Sequence, residues 1–363
     1  MILFLHNRYR VSGGEERAVA NLMWLVREHL GEDAELIERD SALLGRRRAA
    51  SGMLRGGLDP DDVARAVKRT GARVVHAHNI HPSFGWRALA AARAAGARVV
   101  LQLHQYRLVC AVGVCFTDGQ ECTRCHGRNT LPGVLRGCRG SSGEALVYAA
   151  SLALWQRRIA ESVDAVVVPS EFAARRLREL GAPIATPSVL PHPLREFVPR
   201  SSVAADGYAL FAGRLEREKG LDVAVEACRI AELPLVVAGE GPERTRFEGA
   251  PGVSFAGRVD QRQLALARAG AGVAVVPSRF AETFGFAVAE AMAAGLPVAA
   301  SRIGALPELV PDDSLSPPGD AQALARTLAR LRGDRQAGEQ ALARVRERLE
   351  PAMLAATLAA VYS

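Results

Sequence analysis

Residues 273–300 read VAVVPSRFAETFGFAVAEAMAAGLPVAA, and this stretch decides the fold. Val273–Pro277 is a short β-branched run typical of a buried strand, and Pro297–Ala300 is a second one. Between them, Gly285–Ala294 has the composition of a helix, so strand, helix and strand follow in order. Because such a connection joins parallel strands, the stretch predicts an α/β domain built on a parallel sheet.

The same alternation of short apolar runs and amphipathic stretches extends over the whole chain. Further predicted strands are Ile2–His6, Val74–His78, Arg98–Leu103, Ala165–Pro169, Tyr208–Ala212, Leu235–Ala238 and Val253–Ala256. Further predicted helices are Glu15–Leu30, Asp61–Thr70, Trp86–Ala95, Ala145–Ala160, Glu171–Leu180, Leu221–Ile230, Gln261–Ala269 and Ala321–Leu331. Two segments break the rhythm: residues 42–57, predicted to be a mobile basic loop, and a Cys- and Gly-rich insertion at residues 110–143. Two Rossmann-like domains fit this pattern.

The predicted domains are an N-terminal one at residues 1–190, which carries the insertion, a C-terminal one at residues 191–346, and a closing helix at residues 347–363. The seam lies in a Pro- and Ser-rich stretch at residues 191–205. A length of 363 residues suits two domains. No apolar run reaches the ~18 residues of a membrane span, and the opening MILFLHNRYR lacks the features of a signal peptide. We therefore expect a cytoplasmic protein.

The net charge of +7 is carried by the first half of the chain. Residues 1–190 contain 26 Lys and Arg against 18 Asp and Glu, whereas the remainder contains 20 against 21. A basic half suits a phosphorylated acceptor, an acidic membrane surface or nucleic acid, or else is a solvated Arg-rich surface. Only Lys68 and Lys219 are lysines, beside 44 arginines, which favours a specific role for Lys219.

Two carboxylates in the opening stretch are placed to bind hydroxyls. Glu282 lies on the loop after the strand, and Glu290 lies on the helix that begins near Gly285. The free N–H groups of a helix start attract an anion, and a glycine lets it approach closely. Carboxylates accept paired hydrogen bonds from vicinal diols, so the pattern predicts a site for a phosphorylated sugar. The alternative is one helix-start charge and one surface charge.

A second motif, GRLEREKG at residues 213–220, directly follows another predicted strand. Arg214 and Lys219 then lie at the carboxyl edge of the sheet, where they can hold a diphosphate whose charge grows as a glycosidic bond breaks. Glycine turns at residues 239–242 and 257–258 end neighbouring strands. No D-x-D motif stands at a strand end, which favours charge stabilisation by these cations over a divalent metal ion.

Together these motifs resemble the retaining glycosyltransferases of family four. The spacing of Glu282 and Glu290 matches the Glu-x7-Glu motif, and the Gly-Arg-x4-Lys-Gly, GEGP and FxGR motifs match in order. The resemblance implies a GT-B fold, in which two Rossmann-like domains face each other across a deep cleft and the C-terminal helix returns to the N-terminal domain. The donor-binding residues it implies are Gly13, Gly14, Gly213, Arg214, Lys219, Gly239, Arg258, Val259, Glu282, Thr283, Phe284, Gly285 and Glu290.

The resemblance also implies roles for individual side chains. Arg214 and Lys219 would hold the donor diphosphate, Glu282 would contact the transferred sugar, and Glu290 would bind the ribose. His104, which follows a predicted strand, would lie beside the donor sugar and completes the predicted catalytic set of His104, Glu282, Arg214 and Lys219. The Gly13–Glu16 turn resembles the family's N-terminal glycine loop, although a simple helix start would also explain it.

The implied reaction is retaining hexosyl transfer from a nucleotide sugar, with no cofactor required for catalysis. The expected acceptor is a saccharide or lipid-linked intermediate of surface polysaccharide or glycoconjugate synthesis. Contact with an anionic membrane at its inner face is expected from the basic half and the helix at residues 145–160, and no nucleic acid is expected. The alternatives are a nucleotide-sugar epimerase of the same fold and a basic, zinc-containing nucleic-acid-binding protein.

Five of the six cysteines lie within 29 residues of the insertion. Cys122-x2-Cys125 has zinc-knuckle spacing, and we predict a structural zinc site. The predicted ligands are Cys110, Cys122, Cys125 and Cys138, with Cys115 or His126 as substitutes. Buried free thiols or a redox pair are the alternatives. His76-x-His78 is a weaker candidate for a metal pair, because strand histidines more often line a core or cleft.

Overall fold

Two six-stranded sheets, in which every neighbouring pair of strands is parallel, form the framework of the computed structural model. The structure describes residues 1–9 and 13–363. The chain divides into two units. The first comprises residues 1–115, 122–193 and 350–363, and the second comprises residues 116–121 and 194–349.

The sheet of the first unit has the strand order β2-β1-β3-β4-β7-β8. Its strands are β1 (Ile2–Arg8), β2 (Ala34–Asp40), β3 (Val74–Ala77), β4 (Arg98–Gln102), β7 (Ala165–Val168) and β8 (Ser188–Val189). A separate antiparallel hairpin pairs β5 (Phe116–Thr117) with β6 (Gln120–Glu121). The helices between the strands are α1 (Gly14–His29), α2 (Arg46–Arg55), α3 (Pro60–Thr70), α4 (Gly85–Ala94), α5 (Leu131–Leu135), α6 (Ser142–Glu161) and α7 (Glu171–Glu179). Strands β1, β3 and β4 are buried almost throughout, as expected of strands covered on both faces.

The second sheet has the order β11-β10-β9-β12-β13-β14. Its strands are β9 (Tyr208–Ala212), β10 (Leu235–Ala238), β11 (Val253–Gly257), β12 (Ala271–Val276), β13 (Val298–Ser301) and β14 (Leu315–Ser316). Its helices are α8 (Leu221–Ile230), α9 (Arg244–Phe247), α10 (Gln261–Ala269), α11 (Phe286–Ala293), α12 (Leu306–Leu309), α13 (Ala321–Leu331) and α14 (Arg335–Arg348). The predicted parallel α/β architecture is confirmed.

The last helix, α15 (Pro351–Tyr362), belongs to the first unit. It packs against α1, and the Tyr362 hydroxyl lies 2.8 Å from Nδ1 of the buried His76. Arg73 and Arg98 donate hydrogen bonds to the carbonyl oxygens of Tyr362 and Val361. The orphan carbonyls at the end of this helix therefore have partners within the unit.

The prediction of a mobile basic loop at residues 42–57 is wrong, because this segment contains helix α2. Met53 of α2 is buried against Tyr148 and Leu152 of α6, and this packing stabilises a helix that its arginines and glycines disfavour in isolation. Gly56, at a φ of 72°, ends the helix, and its N–H donates to the carbonyl oxygens of Gly52 and Met53.

Candidate active site

The three glycine turns that follow β9, β10 and β11 are hydrogen-bonded to one another at the carboxyl edge of the second sheet. The Gly213 N–H donates to the Ala238 carbonyl oxygen, and the Gly239 N–H donates to that of Gly257. A Cβ at position 239 would lie 1.8 Å from the Gly213 carbonyl oxygen, so the turns pack as they do only because glycine stands there. The packing brings the GRLEREKG segment and the GEGP turn together.

Lys219 and Glu282 form an ion pair at this edge. Lys219 Nζ lies 2.8 Å from Glu282 Oε1 and 4.7 Å from the centroid of the Phe280 ring. The Ser278 hydroxyl donates to the same carboxylate oxygen at 2.8 Å. Both charged side chains are mostly buried, so the pair is less screened by solvent than a surface pair. A phosphate would compete directly with Glu282 for the ammonium group.

The loop that carries Glu282 leads into α11, where Gly285 is the N-cap residue at a φ of 95°. A Cβ at Gly304 would lie 2.4 Å from the Glu282 backbone nitrogen, and the Ala305 N–H donates to the Glu282 carbonyl oxygen. The loop after β13 is therefore packed against the backbone of Glu282. Glycine at 304 makes this approach sterically feasible, and the carboxylate is held on a fixed backbone.

Glu290 lies in α11 and is paired with Arg268, in the last turn of α10. Arg268 donates to Glu290 Oε2 at 2.5 Å, and both side chains are about nine-tenths buried. Breaking such a pair on one side leaves a charge without compensation in a poorly solvated place. Arg268 therefore fixes the direction of the second carboxylate of the Glu-x7-Glu motif.

The remaining predicted donor residues of this unit lie on the same loops. Arg214 is half-exposed, with Nη2 3.6 Å from Glu218 Oε1. Arg258 is exposed and Val259 is partly exposed, directly after β11. Thr283 is partly exposed and Phe284 is buried, between Glu282 and the start of α11. Each predicted position thus follows a strand or precedes a helix at the carboxyl edge of the sheet.

In the first unit, His104 follows β4 and is buried between two other histidines. Its Nε2 lies 2.8 Å from His78 Nδ1, and its Nδ1 lies 3.3 Å from His192 Nε2. A neutral imidazole has one donor and one acceptor nitrogen, so these contacts fix a single direction of donation along the three rings. For His104 to bind a sugar hydroxyl, one of these two hydrogen bonds must be exchanged.

Burial keeps these rings neutral. It lowers the pKa of His76 and of His192 to about 3. Burial, together with the neighbouring imidazoles, also holds the pKa of His78 and of His104 well below the usual value of 6.5. A neutral His104 agrees with the role that the resemblance implies. His76 and His78 stack with ring centroids 4.5 Å apart.

A small pocket, lined by both polar and apolar side chains, adjoins the histidines at the carboxyl ends of β1, β3 and β4. Its lining includes Tyr9, Glu15, His78, His104 and Arg107. The Arg107 guanidinium lies 4.6 Å from the centroid of the Tyr9 ring. Burial raises the pKa of Glu15 above its usual value, so this carboxyl group is held at a cost in desolvation.

Gly13 and Gly14 begin α1 beside this pocket. Gly13 is the N-cap residue, and its N–H donates to Glu16 Oε2 at 2.7 Å. Helix α1 thus starts with the glycine pair and two acidic side chains, as a capped helix start does.

None of the six cysteines, all of which lie in the described part of the chain, forms a disulfide bond. Cys110, Cys115 and Cys125 are buried, whereas Cys122 and Cys138 are partly exposed. A hydrogen bond from the Cys115 thiol, with backbone N–H groups, lowers the pKa of Cys110 to about 6. Among residues 1–9 and 13–363, no three His, Cys, Asp or Glu side chains are arranged to hold a metal ion. The zinc site, like the His76 and His78 pair, therefore stays a prediction.

Four residues of these sites were not predicted from the sequence: Ser278, Gly304, Arg268 and His192. Ser278 and Gly304 flank the Glu-x7-Glu motif and follow strands, so their position alone is a usable signal. Arg268 is one of 44 arginines, and no pattern distinguishes it. His192, between two prolines near the domain seam, has no sequence feature that relates it to His104.

Comparisons with known proteins agree with this arrangement. The family model described as glycosyl transferase 4-like domain matches residues 5–193, and the model described as glycosyl transferases group 1 matches residues 206–334. A GDP-mannose-dependent alpha-(1-6)-phosphatidylinositol dimannoside mannosyltransferase of Mycobacterium tuberculosis is 34% identical over 176 residues, which are 43% of this chain and 46% of that protein. A sulfoquinovosyl transferase of Arabidopsis thaliana is 34% identical over 141 residues, 36% of this chain and 27% of that protein. The matches thus span less than half the length of these relatives.

Solved structures with the same fold cover nearly the whole chain. A sucrose-phosphate synthase from Thermosynechococcus elongatus superimposes with a TM-score of 0.72 at 21% identity, over 99% of this chain and 98% of that one. An Anabaena protein in complex with UDP and glucose gives a TM-score of 0.64 at 18% identity, over 99% and 98%. The fold of this chain is therefore that of the GT-B glycosyltransferases.

The buried histidines make the first unit sensitive to acid. Below pH 6.5 the unfolded chain takes up protons that the folded chain does not, so stability falls from about pH 6.5 toward pH 3. In His192→Gln this dependence weakens by up to about 1.4 kcal/mol per pH unit, because one fewer proton is linked to unfolding. Urea unfolding between pH 7.5 and 5 measures it. The exposed His29→Gln is the control, and an equal slope in His192→Gln and wild type contradicts the assignment.

The Arg268–Glu290 pair predicts a double-mutant cycle. Arg268→Met lowers the free energy of unfolding by about 2 kcal/mol, since it leaves Glu290 charged and poorly solvated. Adding Glu290→Gln removes the charge and restores at least half of the loss. The exposed pair Arg229–Glu226 supplies the control, where Arg229→Met leaves the free energy of unfolding nearly unchanged because solvent screens the pair. Additive losses in the double variant show that the pair is not coupled.

Proposed function

Because the chain belongs to the glycosyl transferase 4-like family, we propose that it transfers a sugar from a nucleotide-sugar donor to an acceptor. The transfer retains the configuration of the anomeric carbon and needs no divalent metal ion. The observation that carries this proposal is the Lys219–Glu282–Ser278 cluster beside the three glycine turns. It combines a cation for phosphate with a carboxylate for hydroxyls at one sheet edge.

Donor binding follows from exchange of partners in this cluster. When a diphosphate reaches the glycine turns, its oxygens replace Glu282 as the partner of the Lys219 ammonium. The released carboxylate then accepts hydrogen bonds from hydroxyls of the sugar, while Ser278 keeps it oriented. Glu290, held by Arg268, accepts from the ribose hydroxyls, and Arg258 and Val259 border the base. The ion pair thus keeps the site neutral until the donor binds.

Bond cleavage concentrates negative charge on the leaving diphosphate. Arg214 and Lys219 stabilise that charge, and the backbone N–H groups at the start of α11 stabilise it further. Two fixed cations supply the positive charge that a divalent ion would bring, which supports metal independence. The departing phosphate, or a group near it, takes the proton of the acceptor hydroxyl.

The acceptor site is proposed for the pocket beside His104. Its lining of Glu15, Arg107 and neutral histidines offers donors and acceptors suited to a saccharide. A mannosyltransferase relative is named for a phosphatidylinositol dimannoside, and another relative is named for O-antigen chains. These names support a saccharide or lipid-linked acceptor in surface polysaccharide or glycoconjugate synthesis.

A nucleotide panel tests the donor site. UDP, GDP, ADP, CMP and their sugar conjugates are added without divalent metal, and thermal unfolding is recorded. One nucleotide family raises the melting temperature by about 5 °C at saturating concentration. Lys219→Ala loses the shift and lowers turnover at least about 100-fold, because the phosphate loses its cation. Lys68, the only other lysine, is exposed on α3 and provides the control. The Lys68→Ala variant behaves as wild type. No shift with any nucleotide refutes the proposal.

A structural zinc ion in the cysteine insertion is a separate proposal. It is supported by the Cys122-x2-Cys125 spacing and by the acidic thiol of Cys110, since zinc binds thiolates. The expected result of metal analysis is about one zinc per chain. Cys125→Ser lowers that content, whereas Cys228→Ser, in the second unit, does not. A folded, zinc-free protein discards the proposal.

A further inference from the structure

The exposed leucines of this protein are concentrated on one part of the first unit. Ten large apolar side chains are exposed among the described residues, and six of them are leucines of that part. These six are Leu43, Leu54, Leu131, Leu135, Leu146 and Leu154, with exposed fractions from 42% to 86%. Single exposed apolar side chains are ordinary, but such a concentration marks an interaction surface.

Three adjacent helices carry five of these leucines, and Leu43 lies in the turn that precedes α2. Helix α6 packs against both α2 and α5, and the Trp155 indole N–H of α6 donates to the Leu54 carbonyl oxygen of α2 at 3.0 Å. On α6 itself, Tyr148 and Leu152 are buried, whereas Leu146, Ala153 and Leu154 are exposed. The helix therefore shows an apolar side to solvent as well as to the core.

The charges around these leucines are predominantly positive. Residues 42–57 and 128–161, which include α2, α5 and α6, contain nine arginines and two acidic residues, Glu144 and Glu161. By contrast, the whole chain has 46 basic and 39 acidic residues. Arginine follows leucine directly at Leu54–Arg55 and Leu135–Arg136. We name this surface, formed by α2, α5, α6 and their flanking residues, the leucine–arginine face.

This combination of side chains matches one partner better than others. A second copy of the chain would bury the leucines but would bring like charges together. The phosphates of a nucleic acid would pair with the arginines but would leave the leucines exposed to solvent. An anionic bilayer satisfies both, because leucines enter the acyl boundary while guanidinium groups bind the lipid phosphates.

We propose that the leucine–arginine face docks the first unit on an anionic membrane surface. Among the described residues, no helix is long and apolar enough to cross a bilayer, and the docking is interfacial. The inference does not depend on the donor site. It deepens the proposed function only by favouring an acceptor that is itself held in the membrane, near the histidine pocket of the same unit.

Vesicle flotation of the full chain, without nucleotide, tests the proposal. The probes are vesicles of phosphatidylcholine alone and of phosphatidylcholine with an equal part of phosphatidylglycerol. The protein floats with the anionic vesicles and not with the neutral ones. At about 0.5 M salt, where exposed charges are screened, binding weakens but part of it remains, because the leucines are still buried.

Two variants separate the contributions of the face. Leu135→Ser, Leu146→Ser and Leu154→Ser combined lower the partition coefficient at least about tenfold and abolish the part that resists salt. Arg46→Glu, Arg47→Glu and Arg157→Glu combined abolish the preference for anionic vesicles. Two control variants, at exposed positions of the second unit, bind as wild type. Ile230→Ser combined with Leu266→Ser is the control for the leucine variant. The control for the arginine variant combines Arg326→Glu, Arg335→Glu and Arg348→Glu.

The outcomes that overturn the proposal are distinct. If the wild-type protein floats with neither kind of vesicle, membrane docking is excluded. If the leucine variant binds the anionic vesicles normally, the leucines do not contribute and the face acts only through its charge. A dimer that dissociates on substitution of the leucines assigns the face to a second copy, and tight DNA binding lost in the arginine variants assigns it to nucleic acid. Each variant keeps its thermal shift with nucleotide, which separates failure of docking from failure of the donor site.

Discussion

Parallel pairing of the strands is the constraint on which both sites depend. Because all strands of a parallel sheet run the same way, their carboxyl ends, and the loops that follow, collect at one edge. In the second unit this brings the turns after β9, β10 and β11 into hydrogen-bonded contact, with Lys219 and Glu282 beside them. In the first unit it places His78 and His104 at the ends of neighbouring strands. Residues far apart in sequence are thereby brought together without any local motif.

The two units differ in how they manage charge at that edge. The second unit holds its charged side chains in pairs, Lys219 with Glu282 and Arg268 with Glu290. The first unit instead holds imidazoles that burial keeps neutral, so they donate and accept hydrogen bonds but repel neither a cation nor an anion. This contrast suits a donor that carries negative charge in one unit and an acceptor recognised through hydroxyls in the other.

Much of this arrangement follows from periodicity and motif spacing, and the rest depends on tertiary contacts. Strand β9 and helices α8, α10 and α13 have the bounds predicted from their apolar pattern, because the periodic spacing of apolar residues continues through each of them. Strand β2, AELIERD, was not predicted, since an edge strand carries charges that hide its alternation. The pairing of Arg268 with Glu290 joins two helices, so only the fold reveals it. The same holds for His192 beside His104.

The two segments that periodicity could not assign both contribute to the leucine–arginine face, beside the predicted helix α6. Residues 42–57 and the insertion at 110–143 interrupt the α/β rhythm because their leucines do not serve the core of either sheet. Helix α2 is stabilised by Met53 against α6, and α5 lies within the cysteine insertion, where the Gly133 backbone is hydrogen-bonded to Cys125. In both cases a short helix is held by a few buried contacts while its leucines stay exposed. Exposed leucines contribute little to the stability of these helices, so their concentration beside nine arginines argues for a partner that buries them.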